Sequence, residues 1–184
     1  IEEFTSSLEK PRKIMLMIKA GETVDLTIEN FLPYLEPGDT IIDGGNSNYE
    51  DTERRVQYLE EKGIYYIGSG VSGGELGALY GPSMMPGGNK EAWAGVKDIF
   101  MAIAAKAGAN EDEPCTTWIG NGGSGHYVKT VHNGIEYGDM QLISEVYAIL
   151  RDVVGADNEE MAKIFSAWNA GRLESYLVEI TSEI

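Results

Sequence analysis

The sequence lacks several features, and each absence narrows the classes of protein to consider. Its 184 residues include one cysteine, Cys115, and 14 Lys and Arg against 30 Asp and Glu. A single cysteine excludes an internal disulfide and a zinc site built from several thiolates, and it fits a reducing compartment, so we expect a cytoplasmic protein. The formal charge of −16 argues against nucleic acid or an anionic membrane as a partner, because both are bound mainly through Lys and Arg.

Long apolar runs and metal-binding patterns are also missing. The longest run of large apolar residues covers 14–18, far short of the roughly 18 residues that span a bilayer. His126 and His132 are the only histidines, and their spacing is not that of a zinc-binding helix, so we expect no metal site. The chain opens on Ile1 and closes on apolar residues, and we interpret both ends as cuts within a longer protein.

Short apolar strands alternate with helical patterns in the first part of the chain, which predicts an α/β fold with a partial doubly wound parallel sheet. The predicted strands cover 14–18, 40–43, 64–67 and 116–119, and the predicted helices cover 22–35, 49–62 and 90–106. A long glycine-rich loop is expected after Ile67. Beyond Asn121 only helices are predicted, at 124–154, 158–169 and from 172 onward, so we place a domain boundary between residues 121 and 122.

The segment Ile42-Asp-Gly-Gly-Asn-Ser47 comes directly after a predicted strand. In open α/β sheets, ligands bind at the carboxyl ends of the strands, and Asn46 offers both a donor and an acceptor there. The alternative is a tight turn in which Ser47 or Asn48 caps the next helix.

The segment Gly68-Ser-Gly-Val-Ser-Gly-Gly74 follows the next predicted strand. Its amides and the Ser72 hydroxyl suit an oxyanion or a carboxylate, whereas the alternative is a flexible connection. Gly68, Gly70 and Gly73 also fit a dinucleotide-binding glycine pattern, but the match is weak because no helical pattern opens directly after it.

The strongest candidate lies on the predicted helix that contains residues 125–138. With Lys129 at zero on a helical wheel, one polar face runs from about 300° to about 80°, and it holds Lys129, His132, Asn133, Glu136 and Tyr137. Lysine as a base and glutamate as an acid, about 10.5 Å apart along the helix axis, fit acid–base chemistry on a small polar substrate. The alternative is a solvated amphipathic face, although such faces tend to repeat Glu and Lys at i,i+4 and this one does not.

These motifs, together with Tyr80-Gly-Pro-Ser-Met-Met-Pro-Gly-Gly88, resemble the decarboxylating 6-phosphogluconate dehydrogenases of the β-hydroxyacid dehydrogenase superfamily, over essentially the whole chain. The resemblance implies that 1–121 is the C-terminal part of a Rossmann-like dinucleotide-binding domain whose first βαβ unit lies before Ile1. It implies that 122–184 is the N-terminal part of a helical substrate and dimerisation domain.

The resemblance also implies site residues. Lys129 corresponds to the general base and Glu136 to the general acid of the family. The implied substrate contacts are Asn46, Ser72, Gly73, Gly74, His132, Asn133 and Tyr137. The implied contacts on the nicotinamide side of the cofactor are Ile18, Lys19, Ala20 and Asn46.

The implied reaction is NADP-dependent oxidation of 6-phosphogluconate at C3, followed by loss of CO₂ to give ribulose 5-phosphate, in the pentose phosphate pathway and in a cytoplasmic homodimer. In the family, the glycine turn for the pyrophosphate precedes this segment and the cations for the substrate phosphate follow it, so we expect the isolated chain to be inactive. Two alternatives stay open: another β-hydroxyacid dehydrogenase with a different small acid as substrate, and a non-catalytic binding module.

Overall fold

The computed structural model describes residues 1–110 and 112–184. The chain divides into two compact units, Ile1–Val131 and His132–Ile184. The strands are β1 Lys13–Leu16, β2 Thr40–Asp43, β3 Tyr65–Ser72, β4 Ser83–Gly88, β5 Lys106–Ala107, β6 Glu113–Pro114 and β7 Gly120–Asn121. The α-helices are α1 Glu2–Ser6, α2 Glu22–Phe31, α3 Tyr49–Glu60, α4 Gly74–Tyr80, α5 Lys90–Ile103, α6 Ser124–Ile149, α7 Asn158–Asn169 and α8 Tyr176–Thr181.

The first unit is built on a five-stranded sheet in the order β1-β2-β3-β4-β7. Strands β1, β2 and β3 are parallel, with Ile14 opposite Ile41 and Ile41 opposite Tyr66. Strand β4 runs antiparallel to β3, and β7 runs parallel to β4. The predicted α/β class with a long helix after the sheet is confirmed. The sheet is parallel over β1, β2 and β3, as predicted, whereas β4 and β7 run in the opposite direction.

Apolar side chains cover both faces of this sheet, because alternate residues of a strand point to opposite sides. One core joins the sheet to α2 and α3, and Ile41 of β2 is one of its members. The other joins the sheet to α5, with Ile42, the next residue of β2, among its members. The first core contains Ile14, Leu16, Val24, Ile28, Val56, Leu59 and Tyr66, and the second Ile67, Met84, Ala92, Val96 and Phe100.

The glycine-rich segment after Ile67 was predicted to be a loop, and this prediction is wrong. Residues 68–72 continue β3 and pair with β4, so that Gly68 lies opposite Gly87 and Ser72 opposite Ser83. The expectation that no helix follows is also wrong, because α4 begins at Gly74. Glycine is a poor strand former, but it is retained where another backbone approaches closely.

The predicted strand at 116–119 is wrong as well. Thr116 forms only an isolated bridge with Met84, and the short strand that joins the sheet is Gly120–Asn121. Several predicted helices are too long at one end: 22–35 gives way to a 3-10 turn at Leu32–Tyr34, and 90–106 ends at Ile103. The helix expected from 172 begins at Tyr176, where the Ser175 hydroxyl caps it.

The second unit contains the later part of α6, a π-helical turn at Leu150–Val154, α7 and α8. Helix α7 has the predicted bounds, and Asp157 and Glu160 form a capping box at its start. Phe165 is buried and packs against Tyr147 and Trp168. Among the described residues, no helix is long and apolar enough to cross a membrane.

Candidate active site

The loop after β2 is organised around the carboxylate of Asp43, which is fully buried. Asp43 accepts hydrogen bonds from the Gly45 amide at 2.9 Å, the Ser47 hydroxyl at 2.6 Å and the Tyr66 hydroxyl at 3.0 Å. Burial raises the pKa of Tyr66, and the neighbouring negative charge of Asp43 raises it further, so Tyr66 stays protonated and donates. These bonds close the loop while the Asn46 side chain remains exposed.

The alternative for this segment was a helix cap, and Asn48, directly before α3, does cap that helix. Its side-chain oxygen accepts from the Glu50 amide at 2.8 Å. Ser47 instead turns inward to Asp43. The segment therefore combines a helix cap with a loop that exposes Asn46, and the cap does not exclude a ligand-binding role.

The loop after β1 touches the loop after β2. A methyl group on Gly45 would lie 2.9 Å from the Ile18 carbonyl oxygen, so glycine is required for this approach. Ile18 and Ala20 are half-buried, and Lys19 is exposed. Both loops lie at the carboxyl ends of neighbouring parallel strands, which is where an open α/β sheet binds a dinucleotide. This backbone contact fits the predicted placement of the nicotinamide end beside Ile18, Lys19, Ala20 and Asn46.

Strand β3 ends at Ser72, and the two glycines that follow hold conformations that other residues rarely adopt. Gly73 has φ 132° and Gly74 has φ 59°. A methyl group on Gly73 would also lie 2.8 Å from the Gly77 Cα atom. Ser72 is half-buried, and both glycines are exposed. The turn therefore depends on glycine and leaves its backbone open to solvent.

Lys129 is buried, with 9% of its surface exposed. Its side chain lies against β3 at Gly70, where a methyl group would lie 2.5 Å from Lys129 Cβ and 3.1 Å from Cγ. The Met85 sulfur, from β4, lies at the same glycine. The packing brings Lys129 to the strand that ends two residues later at Ser72.

His126 was missed as a site residue by the sequence analysis. It is 1% exposed, and its ring joins α6 to two other elements of the first unit. Nδ1 lies 2.6 Å from the Thr52 hydroxyl on α3, and Nε2 lies 3.1 Å from the Gly45 carbonyl. The one signal in the sequence was its wheel position, about 60° from Lys129 and so on the polar face.

Burial lowers the pKa of His126, although the negative charge of Asp43 opposes the shift. A carbonyl oxygen can only accept, so Nε2 carries the proton and donates to Gly45, while Nδ1 faces the Thr52 hydroxyl, which also lies 3.2 Å from the Asn48 carbonyl oxygen. The neutral ring thus fixes the start of α6 against the loop that carries Asn46.

The other predicted residues of α6 belong to the second compact unit. His132 Nδ1 lies 3.1 Å from Asn133 Oδ1 and 3.6 Å from Glu136 Oε2. The side chains of His132 and Glu136 are 38% and 39% exposed, and Tyr137 is 69% exposed. The predicted polar face therefore brings the imidazole, the amide and the carboxylate into contact, while the Tyr137 ring lies in solvent.

Comparison with solved structures first establishes the fold. A 3-hydroxyisobutyrate dehydrogenase from Mycobacterium tuberculosis superposes with a TM-score of 0.76, covering 98% of this chain and 58% of its own, at 18% identity. This likeness establishes the fold alone. The shared fold is an α/β sheet domain followed by helices.

The sequence then defines the family. Residues 1–120 match the NAD binding domain of 6-phosphogluconate dehydrogenase, and residues 125–184 match the C-terminal domain of 6-phosphogluconate dehydrogenase. The chain belongs to the 6-phosphogluconate dehydrogenase family, which confirms the resemblance of the motifs.

Several relatives match the whole chain. It is 59% identical to the decarboxylating 6-phosphogluconate dehydrogenase of Ovis aries and 61% identical to the NADP(+)-dependent, decarboxylating enzyme of Bacillus subtilis (strain 168), in each case over all 184 residues. A Plasmodium falciparum 6-phosphogluconate dehydrogenase, solved in its apo form, with NADP⁺ and with 6-phosphogluconate, has a TM-score of 0.93 at 53% identity and covers all of this chain. This chain spans 38 to 39% of the length of these three relatives.

Proposed function

We propose that the protein containing this chain is an NADP-dependent oxidoreductase that converts 6-phosphogluconate to ribulose 5-phosphate and CO₂. The observation that carries the proposal is the buried Lys129 lying on Gly70 of β3. It occurs in a chain that is 59 to 61% identical, from end to end, to decarboxylating 6-phosphogluconate dehydrogenases.

Lys129 acts as the general base. Its neutral amine takes the proton of the C3 hydroxyl as the substrate is oxidised to the 3-keto acid. The ammonium group that results then donates a hydrogen bond to the C3 carbonyl oxygen, where negative charge develops as CO₂ leaves. One buried group therefore serves both steps, and the side chain's position on β3 holds it away from bulk water.

Glu136 acts as the general acid that protonates C1 of the enediol. The proposed substrate contacts are the two polar groups beside it, His132 and Asn133, together with Tyr137. In the first unit the proposed contacts are Asn46, Ser72, Gly73 and Gly74. The open backbone of the Ser72–Gly74 turn suits the substrate carboxylate, since amides and a hydroxyl can donate to its oxygens.

Ile18, Lys19, Ala20 and Asn46 would hold the nicotinamide end of NADP⁺, which accepts the hydride from C3 when bound. The contact between the Gly45 backbone and the Ile18 carbonyl supports this assignment, because it places both loops at one edge of the sheet. We further propose domains at 1–121 and 122–184, a homodimer, a cytoplasmic location and a role in the pentose phosphate pathway. The single cysteine supports the reducing compartment.

A chimera tests the proposal. The 184 residues replace the matching segment of the Bacillus subtilis relative, to which they are 61% identical. We expect one NADPH and one CO₂ per 6-phosphogluconate consumed, and no turnover by the isolated chain, which spans 39% of that relative. Oxidation without CO₂ release, or turnover of 3-hydroxyisobutyrate in place of 6-phosphogluconate, would contradict the proposal.

A further inference from the structure

Arg55, in the middle of α3, has a buried side chain with polar partners on two sides. Its side chain is 1% exposed. Nε and Nη2 donate to the two carboxylate oxygens of Asp25, each at 2.9 Å, and Nη2 also donates to the Gly21 carbonyl at 3.0 Å. On its other side, Nη1 lies 3.5 Å from the Ser47 hydroxyl and 3.7 Å from the Asp43 carboxylate.

These partners lie at two different loops. Gly21 ends the loop after β1 and Asp25 lies in the first turn of α2, while Asp43 ends β2 and Ser47 lies in the loop that follows it. One guanidinium group therefore contacts both loops that carry the residues proposed for the nicotinamide end of the cofactor: it donates to Gly21 in the first and lies 3.5 Å from the Ser47 hydroxyl in the second. The loops also touch directly through Gly45 and Ile18, so a shift of either loop would disturb the other.

We propose that Arg55 is a positioning residue that fixes the spacing of these two loops and so pre-forms the nicotinamide side of the cofactor site. This inference rests on the proposed function. Arginine is required because its planar fork can bind a carboxylate in a bidentate manner and still donate in a second direction. A lysine would keep the charge but lose the fork.

The chain offers a matched control at the opposite ends of the same strands. Arg12 lies just before β1 and Asp39 just before β2, and Nη1 of Arg12 is 2.8 Å from Asp39 Oδ2. The side chains are 8% and 2% exposed, so this ion pair is buried as Arg55 is. Arg12→Lys should disturb the sheet to a similar degree without touching either loop.

The experiment compares Arg55→Lys, Asp25→Asn and Arg12→Lys in the chimera described above. It measures the Kd of NADP⁺, hydrogen exchange of the amides at 18–21 and 44–47 without cofactor, and the free energy of unfolding. We expect Arg55→Lys to raise the Kd about tenfold, equivalent to about 1.4 kcal/mol, and to speed exchange in both loops. Asp25→Asn should act in the same direction, because it removes the bidentate partner while Arg55 stays in place. Arg12→Lys should lower the free energy of unfolding by a comparable amount but change neither the Kd of NADP⁺ nor hydrogen exchange in the two loops.

The inference is overturned if Arg55→Lys changes loop exchange and Kd no more than Arg12→Lys does, or if only one of the two loops responds. It is also overturned if the Kd rises in all three variants in proportion to their loss of stability. Hydrogen exchange needs neither cofactor nor substrate, so it tests Arg55 even if the unsubstituted chimera fails to oxidise 6-phosphogluconate. That failure would count against the proposed function alone.

Discussion

The Lys129 side chain packs directly against Gly70 and occupies the space that a side chain at residue 70 would fill. A methyl group on Gly70 would lie 2.5 Å from Lys129 Cβ. Residue 70 of β3 must therefore be glycine for Lys129 to pack in this place. The glycine-rich sequence of this strand is explained by what packs on it.

Substituting Gly70→Ala should displace Lys129 without touching any polar group. We expect the kcat of the chimera to fall by about 10² or more, since general acid–base assistance contributes about 10² to 10⁴. We also expect a loss of about 1 to 3 kcal/mol of stability from overpacking. The measurements are NADPH formation at saturating 6-phosphogluconate and urea unfolding.

Gly134→Ala, on α6, is the matched control for this substitution. A methyl group there would meet no atom within 4 Å, so it should stabilise the helix by up to about 1 kcal/mol through helix propensity alone. If the kcat of Gly70→Ala were unchanged, catalysis would not depend on the position that Lys129 holds against Gly70.

His126 should make the stability of the chain depend on pH below neutrality. Its folded-state pKa is lowered by burial, so the unfolded chain takes up the proton first as the pH falls below about 6.5. Stability is therefore complete above about pH 6.5 and is lost as the pH falls through the folded pKa. The groups that act on the ring electrostatically are Asp43, which favours its charged form, and Arg55, which opposes it.

The measurement is the urea unfolding free energy of the 184-residue chain between pH 5 and pH 8 for His126→Gln. The variant should be less stable at pH 8 and show a flatter slope below pH 6.5, because glutamine does not titrate. Tyr127→Phe, at the exposed neighbouring residue, should keep the original slope. An unchanged slope in His126→Gln would show that other groups cause the pH dependence.

Glu136→Gln should separate the two halves of the chemistry. The amide keeps the shape and the reach toward His132 but cannot give up a proton at C1. Single-turnover NADPH formation should survive far better than proton incorporation at C1 from labelled water. Glu145→Gln, an exposed glutamate of the same helix that bonds Gln141, is the control and should change neither. Incorporation at the parental rate in Glu136→Gln would rule out Glu136 as the acid.

Local sequence signals predicted the bounds of two elements correctly. Strand Thr40–Asp43 and helix Asn158–Asn169 have the predicted bounds, since one is a short apolar run between turn residues and the other has a capping box. The wheel also grouped His132, Asn133 and Glu136 correctly on one face, because helical periodicity alone fixes that arrangement.

Long-range contacts explain what the sequence could not show. Residues 68–72 lack strand propensity and become a strand because β4 pairs with them and α6 packs on their glycines. The partner of His126 on α3 is 74 residues away, and Asp25 is 30 residues from Arg55. No periodicity links such pairs, so the loop-fixing roles of both side chains emerged only from the fold.

The most direct test of the account is Lys129→Met in the chimera, assayed for NADPH formation from 6-phosphogluconate and for CO₂ release from the supplied 3-keto acid. If the buried lysine is both the base and the group that stabilises the enolate, both rates should fall by about 10² to 10⁴. Lys163→Met, at a lysine whose side chain is 71% exposed, should leave both unchanged. Normal oxidation with loss of decarboxylation alone would contradict the account.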